Sequence, residues 1–435
     1  MKIKYVDLFA GTGGIRLAFE QACNALQIQQ KCVFSAEIDK RAAESYKLNF
    51  NDDPLCDVTK IDFLPDFDFL LAGFPCQSFS YAGKRKGFAD TRGTLFFDVE
   101  RILKQKKPKY LLLENVRGLT THDRSRTFST IKRSLKELGY SIDYLLLNSS
   151  NFNVPQNRVR IYIVGVLEQD IKMTLNSDVG PADTHKYKSN NQNYQPDLFV
   201  NEKPSTRKVS CILEPNPDPK YICSNKFIDK LTKVVGSKFD LLHGYRLIDY
   251  RGGKSIHSWE LGTKGACSDA EIEFMNLLIA NRRKKIFGTH QDGKKLTKEQ
   301  IQSFYPSNDF DVVTENLIKM GYLSCHDGKF NPVCGNMSFE VFKFLDPEGI
   351  SITLTASDSN RLGVVQNNIP RRITPRECAR LQGYPDSYKL LDDDDAVYKQ
   401  MGNAVSVPVV KAVLVDFMKH NLLRQSRTQT RKNSH

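Results

Sequence analysis

Residues 1–166 alternate short apolar runs with segments of helical spacing, a rhythm that points to a layered α/β sheet. Residues 4–9 read as a strand, Gly11, Gly13 and Gly14 make a turn, and Ile15, Leu17, Ala18, Ala22 and Leu26 supply a helix face. Further strands are expected at 31–36, 67–72, 110–113, 141–147 and 160–166. A helix beginning near Thr94 buries Leu95, Phe96, Val99, Ile102 and Leu103 and stops at Lys107-Pro108, and another carries Phe128, Ile131, Leu135 and Leu138 up to Gly139. The expected fold is a doubly wound, mostly parallel, Rossmann-like sheet.

Several polar groups sit at the ends of these runs, where open sheets bind ligands. Glu37 follows the second strand and is placed to accept hydrogen bonds from a ribose. Arg16 stands where the third glycine of a dinucleotide loop belongs, which disfavours a pyrophosphate site and a nicotinamide oxidoreductase. Gly73-Phe74-Pro75-Cys76-Gln77-Ser78-Phe79-Ser80 breaks the third strand and presents Cys76, a position equally suited to a small buried apolar residue. If strands 67–72 and 110–113 are adjacent and parallel, Cys76 and Glu114 share one sheet edge.

Taken in order, Phe9-Ala10-Gly11-Thr12-Gly13-Gly14, Pro75-Cys76-Gln77, Glu114-Asn115-Val116, Gln156-Asn157-Arg158-Val159-Arg160, Arg371-Arg372-Ile373-Thr374-Pro375-Arg376-Glu377 and Gly402-Asn403-Ala404-Val405 resemble the motif blocks of the DNA (cytosine-5) methyltransferases. The resemblance covers roughly residues 1–166 and 353–420. It implies S-adenosyl-L-methionine as cofactor, with Phe9 on the adenine, Glu37 on the ribose, Asp57 near the adenine amino group and Asn403 closing the pocket. Gly11, Gly13, Gly14, Ile38, Val58, Gly73, Pro75, Leu95, Ala404 and Val405 complete the implied cofactor site. Ile38 departs from relatives that place an aromatic residue beside the acid. The resemblance further implies Cys76 as nucleophile on C6 of a flipped-out cytosine, Glu114 on N3 and the exocyclic amine, and Arg160 with Arg158 on the base.

Length and charge bound the remainder. A chain of 435 residues exceeds one average core, so two domains are expected. A formal charge of +13 favours a polyanionic partner, here double-stranded DNA. The ten cysteines show no C-x-x-C pair and no His/Cys cluster at ligand spacing, so no metal is expected. No signal-peptide pattern opens the chain and no apolar run approaches the length of a membrane span, which reads as a cytosolic protein without a membrane partner; the resemblance implies a bacterial, nucleoid-associated one. A monomer is expected, with a restriction endonuclease acting on the same site without needing to bind.

The expected division is a catalytic and cofactor-binding domain at 1–166, an inserted target-recognition domain at 167–352, a return to the catalytic domain at 353–422 and a basic flexible tail at 423–435. In the middle, a helix over 271–280 runs into Arg282-Arg283-Lys284-Lys285, which reads as a phosphate-contacting run or as a solvated face. Helices at 296–301 and 312–322 followed by a hairpin turning at Asp327-Gly328 resemble a winged-helix element. Gln77, Ser80, Lys84 and Arg92 are expected against the DNA beside the active site, and Thr353 and Leu354 near the bases. An RNA cytosine methyltransferase is the nearest rival; its transfer-RNA members carry a C-F-T tripeptide that this chain lacks. A non-catalytic DNA-binding regulator is disfavoured by the intact Cys76 and Glu114.

Overall fold

A computed structural model of the chain describes residues 2–75, 95–179, 207–249, 254–288, 295–334 and 339–423. They form two compact units, the first comprising Met1–Ile212, Ile350–Ser359 and Pro375–His435, the second Leu213–Gly349 and Asn360–Thr374.

The first unit begins with β1 (Lys2–Leu8), α1 (Gly14–Ala25), β2 (Gln29–Ala36), α2 (Lys40–Phe50), β3 (Phe69–Ala72), α3 (Leu95–Lys106), β4 (Tyr110–Val116), α4 (Arg126–Glu137), β5 (Tyr140–Asn148) and β6 (Val159–Leu167). They build one sheet in the order β2-β1-β3-β4-β6-β5. β1 runs parallel to β2 and β3, and β3 to β4, so the carboxyl ends of these strands share an edge. β3 is buried along its whole length and β4 nearly so, as expected of central strands covered on both faces. β6 is antiparallel to both β4 and β5. The connection from β5 to β6, residues 149–158, is too short for a crossover helix, which forces the reversal. α2 was not evident from periodicity, because its buried face consists only of Ala42, Ala43, Ser45 and Tyr46; its start is set by Asp39, whose carboxylate accepts from the amides of Arg41 and Ala42.

The second unit contains α5 (Asn225–Val235), β7 (Arg246–Leu247), β8 (Ser255–Ile256), α6 (Asp269–Asn281), β9 (Leu296–Thr297), α7 (Lys298–Gln302), α8 (Phe310–Met320), β10 (Leu323–His326), β11 (Lys329–Pro332), β12 (Lys343–Leu345), β13 (Leu362–Gln366) and β14 (Ile369–Arg372). A five-stranded sheet, β14-β13-β12-β7-β8, shares a core with α5 through Phe227, Leu231, Val341, Phe344 and Val365. A separate core of Trp259, Phe274, Met275, Leu278, Phe310, Val313, Leu317 and Tyr322 joins the segment before α6 to α6 and α8. There the expected helix, helix, hairpin order is present, with α7 two residues later and α8 two residues earlier than the spacing alone placed them.

Helices α9 (Pro375–Leu381), α10 (Asp394–Asn403) and α11 (Val407–Met418) return the chain to the first unit, where Phe417 packs edge-on against Phe69 and Tyr110. Among the described residues, the stretch Asp394–Leu423 is long and apolar enough to cross a membrane, but it is broken between α10 and α11 and 61% of its apolar window is buried in the protein.

The unit boundaries differ from the divisions read in sequence. Residues 167–179 stay with the first unit because the amides of Thr174 and Leu175 donate to the Asp416 carboxylate on α11, and the Asn148 amide donates to Asp178. Residues 360–374 belong to the second because β13 joins its sheet beside β12. The tail beyond 423 lies outside the described residues.

Candidate active site

At the carboxyl edge of the parallel strands the first unit encloses a cavity of about 530 Å³. Its floor is the turn after β1. Phe9, Gly11 and Gly13 all take left-handed backbone angles, φ 53°, 54° and 79°. Gly13 does not line the cavity; a Cβ there would come within 2.2 Å of the Phe50 ring, so this glycine lets α2 close on the turn. Gly14 does line it, and a Cβ would meet the Tyr384 hydroxyl at 2.5 Å. Every other residue expected to contact the cofactor, namely Phe9, Gly11, Glu37, Ile38, Asp57, Val58, Gly73, Pro75, Leu95, Asn403, Ala404 and Val405, is on the cavity wall.

Glu37 is held from both sides. One carboxylate oxygen accepts from the Gly11 amide at 2.7 Å and the other from the Asp39 amide at 2.7 Å, while its own amide donates to the Pro54 carbonyl. Each oxygen keeps lone-pair capacity for a hydroxyl donor in the cavity. Asp57 caps a short 3-10 turn through the Thr59 amide and hydroxyl, and these hydrogen bonds hold its carboxyl below the usual range. Ile38 is 69% exposed at the rim.

Glu114 forms another wall. β4 and β6 pair Glu114 with Tyr162 and Val116 with Arg160, which makes Glu114 and Arg160 diagonal neighbours, with Nε 3.4 Å from Oε1. Burial nevertheless pushes the Glu114 carboxyl up, outweighing the opposing guanidiniums of Arg160 and Arg158. The adjoining Asn115 side chain donates to the Phe74 carbonyl at 2.9 Å and fixes the chain as it leaves β3 towards Cys76. A Cβ on Gly73 would lie 3.7 Å from a Glu114 carboxylate oxygen, so the β3 exit runs directly past the acid. Cys76, Gln77, Ser80, Lys84 and Arg92 lie outside the described residues.

Arg158 has a set of backbone partners that the sequence did not show. It is 3% exposed and donates to the carbonyls of Leu354 at 2.9 Å, Gly402 at 3.3 Å and Ala404 at 2.7 Å. These bonds hold the chain that carries Asn403, and Arg158 lines the cavity together with Arg160. Gln156 acts beside it, accepting from the Leu354 amide and donating to the Leu381 carbonyl. Leu354 was expected near DNA bases, but its side chain is buried, and the half-buried Thr353 donates its hydroxyl to the Asn157 carbonyl at 2.5 Å. In the second unit Arg282 is likewise no surface cation: it is 8% exposed and donates to Asn331 at 2.8 Å, whereas Arg283, Lys284 and Lys285 are exposed.

The sequence did not reveal the residues that seal the cavity from the returning helices. Tyr388 donates to the Thr12 carbonyl at 2.6 Å, and the Tyr384 and Thr12 hydroxyls lie 2.8 Å apart. Lys399 pairs with Asp39 at 2.8 Å, and Gln400 bridges the Ser45 hydroxyl and the Arg41 carbonyl. These contacts join positions more than three hundred residues apart, and no local pattern signals them.

The family model for C-5 cytosine-specific DNA methylases matches residues 3–419. The chain belongs to that family. The methylase is 62% identical to the type II methyltransferase M.BanI of Aneurinibacillus aneurinilyticus over 97% of both chains. It is 58% identical to M.HgiCI of Herpetosiphon aurantiacus over 96% of this chain and 98% of the other. In fold it resembles the S. pombe Dnmt2 methyltransferase structure, with a TM-score of 0.52 at 18% identity over 96% of this chain and 98% of that one.

The methylase is thus an enzyme acting on DNA, with S-adenosylmethionine as methyl donor. The cavity suits that molecule on its own chemistry. Glu37 offers acceptors for ribose hydroxyls, the Gly11 side of the turn is open with nothing within 4 Å of a Cβ position, and Phe9, Ile38 and Val58 give an apolar flank for adenine. Bound there, the cofactor supplies an electrophilic methyl group on a sulfonium.

Proposed function

We propose that the methylase modifies C5 of a flipped-out cytosine within a short specific duplex sequence, through a covalent bond between Cys76 and C6. The observation that carries this is Glu114, a buried acid with raised proton affinity on the cavity wall, beside the strand exit that leads to Cys76. C5 of cytosine is a poor nucleophile. The Cys76 thiolate adds to C6 while Glu114 gives its proton to N3, so the ring electrons reach C5 without building charge on the base. Arg160, diagonal to Glu114, orients the base through its carbonyl oxygen. C5 then takes the methyl group, a base removes the C5 proton, and the C6–S bond breaks to return the thiolate as N3 gives its proton back to Glu114. Reaching C6 in a duplex requires base flipping, at a cost of roughly a few kcal/mol.

The second unit is the target-reading domain in this scheme, since it adds a separate sheet and core to a first unit that already contains the whole cavity. The relatives' designation as type II methyltransferases supports a role as the modification enzyme of a restriction-modification system.

DNA containing 5-fluorocytosine blocks the final proton loss and tests the covalent step. A denaturation-resistant adduct requiring both cofactor and Cys76 is expected, together with none from Cys76→Ser; an adduct formed by the Ser variant would overturn the assignment. Bisulfite sequencing of DNA from cells expressing the chain identifies the modified base and its context, and tritium transfer to DNA but not transfer RNA separates the rival substrate.

A further inference from the structure

Residues 258–334 form a module inside the second unit. Its helices and strands follow the order α6, β9, α7, α8, β10, β11, and its small sheet is arranged β10-β11-β9 with both pairings antiparallel. Phe310, Val313 and Leu317 of α8 are buried in the module core. The Phe310 ring lies 5.8 Å from Phe274 of α6 and 5.4 Å from Phe330 of β11, so the axial rotation of α8 is fixed by packing.

This fixes the opposite row as well. Val312, Glu315, Asn316 and Lys319 recur at i, i+3, i+4 and i+7 and all are exposed. Val312, 62% exposed, is an apolar side chain at the N-terminal end of an otherwise polar row. Glu315 and Lys319 have the spacing and order that favour a helical ion pair, yet neither is joined to a described residue. Asp311, at the helix start, is neutralised by Lys298 at 2.6 Å, and the Lys298 ammonium also sits 5.0 Å over the Phe310 ring. The row therefore presents one methyl-bearing group, one carboxylate, one amide and one ammonium.

We propose that α8 lies in the major groove of the substrate duplex and that Val312, Glu315, Asn316 and Lys319 read base edges there. The inference rests on the reading of the second unit as the DNA-reading domain. A major groove about 12 Å wide admits one helix, and eleven residues span about 16 Å of it. Each group in the row has a chemical counterpart among the base edges: an apolar contact for the thymine methyl, a carboxylate for the cytosine amine, an amide for adenine and an ammonium for the guanine acceptors. Lys329 on the hairpin and the exposed Arg283 and Lys285 supply cations for neighbouring phosphates. Tight pairing of Asp311 with Lys298 offsets one of the two carboxylates at the helix start, the other being the N-cap Asp309.

Two measurements test this on the full-length methylase. In the first, a benzophenone side chain replaces Val312 or Asn316 and, for comparison, the exposed Leu241 elsewhere in the second unit, and each protein is irradiated with a duplex carrying the methylated sequence. Crosslinks from 312 and 316 to bases are expected. Crosslinks from 241 alone would overturn the placement of α8 while leaving the DNA-reading unit intact; no crosslink from any of the three would remove that reading and the proposal together. In the second, Glu315→Gln and Asn316→Ala are assayed on the full site and on sites altered at single base pairs. The ratio of rates is expected to fall about tenfold at one position for each variant, with cofactor affinity unchanged. Unchanged site preference accompanied by a change in sedimentation coefficient would assign the row to a second protein copy and overturn the proposal.

Discussion

Arg158 donates to the Leu354 carbonyl at 2.9 Å and to the Ala404 carbonyl at 2.7 Å, so one buried side chain just before β6 holds both segments by which the chain returns to its first unit. Asn403 and Ala404 line the cofactor cavity, and their position depends on that hold.

Removing the guanidinium leaves buried carbonyls without partners, each costing roughly 1–3 kcal/mol. Arg158→Met is therefore expected to lower Tm by many degrees and to raise the cofactor Kd. Arg160→Met, which frees no such set of carbonyls, should retain most of the stability and lose kcat. Thermal unfolding and cofactor titration of the two variants, side by side, decide this; equal loss of stability would contradict the division of labour.

Glu37→Ala should weaken cofactor binding roughly ten- to a hundredfold, the worth of charge-assisted hydrogen bonds. These hydrogen bonds exist before and during methyl transfer alike, so the loss appears in the cofactor KM with little change of kcat at saturation. Glu37→Gln, which can still accept from the Gly11 or Asp39 amide, should lie between. A large fall in kcat with KM unchanged would show that Glu37 acts on the reaction itself.

Asp7 on β1 is fully buried, with one carboxylate oxygen unpartnered and the other 3.4 Å from the Tyr46 hydroxyl. Burial raises its pKa to about 8, against the lowering influence of Arg16 and the Tyr46 hydrogen bond. A carboxyl raised in the folded state favours folding fully only below its unfolded pKa, and that contribution is lost as pH rises through the folded value. The loss of stability is about 1.4 kcal/mol for each pH unit between the two values. Asp7→Asn keeps the shape without the titration. The variant should therefore gain stability relative to the parent as pH is raised from 4 to 8, and the gain should level off above 8. A difference in unfolding free energy that stays constant with pH would mean that Asp7 is already ionised in the fold.

Much of the fold was legible because strands β1 to β4 are short apolar runs with glycine or acidic residues at their ends, and such runs need no distant partner to be recognised. Glu37 and Glu114 were legible for the same reason, Glu37 directly following β2 and Glu114 lying two residues before the end of β4, both at the ligand edge. What escaped were roles set by tertiary packing. Arg158 and Arg160 alternate along one extended stretch and read alike, yet the returning segments bury Arg158 and leave Arg160 beside Glu114. Arg282 belongs to a run of four cations, and only the hairpin residue Asn331 distinguishes it from its neighbours. α2 escaped because small residues and one tyrosine suffice to pack it.

That distinction alters what the basic run in the second unit should do. Arg283, Lys284 and Lys285 are exposed, whereas Arg282 is engaged by Asn331 and its charge is disfavoured chiefly by burial. If the exposed cations pair with phosphates, removing one such pairing should reduce the slope of log affinity against log salt by about 0.9. Arg283→Gln combined with Lys285→Gln should thus flatten the slope by up to about 1.8, weaken binding to every duplex alike and leave the methylated sequence unchanged. Arg282→Gln should instead lower Tm and leave the slope nearly as it was, since a buried guanidinium releases no counterion from DNA. Binding titrations between about 50 and 200 mM salt measure the slopes. A parent-like slope in the double variant would make the run a solvated face, and a changed methylation context would make it an element that reads bases.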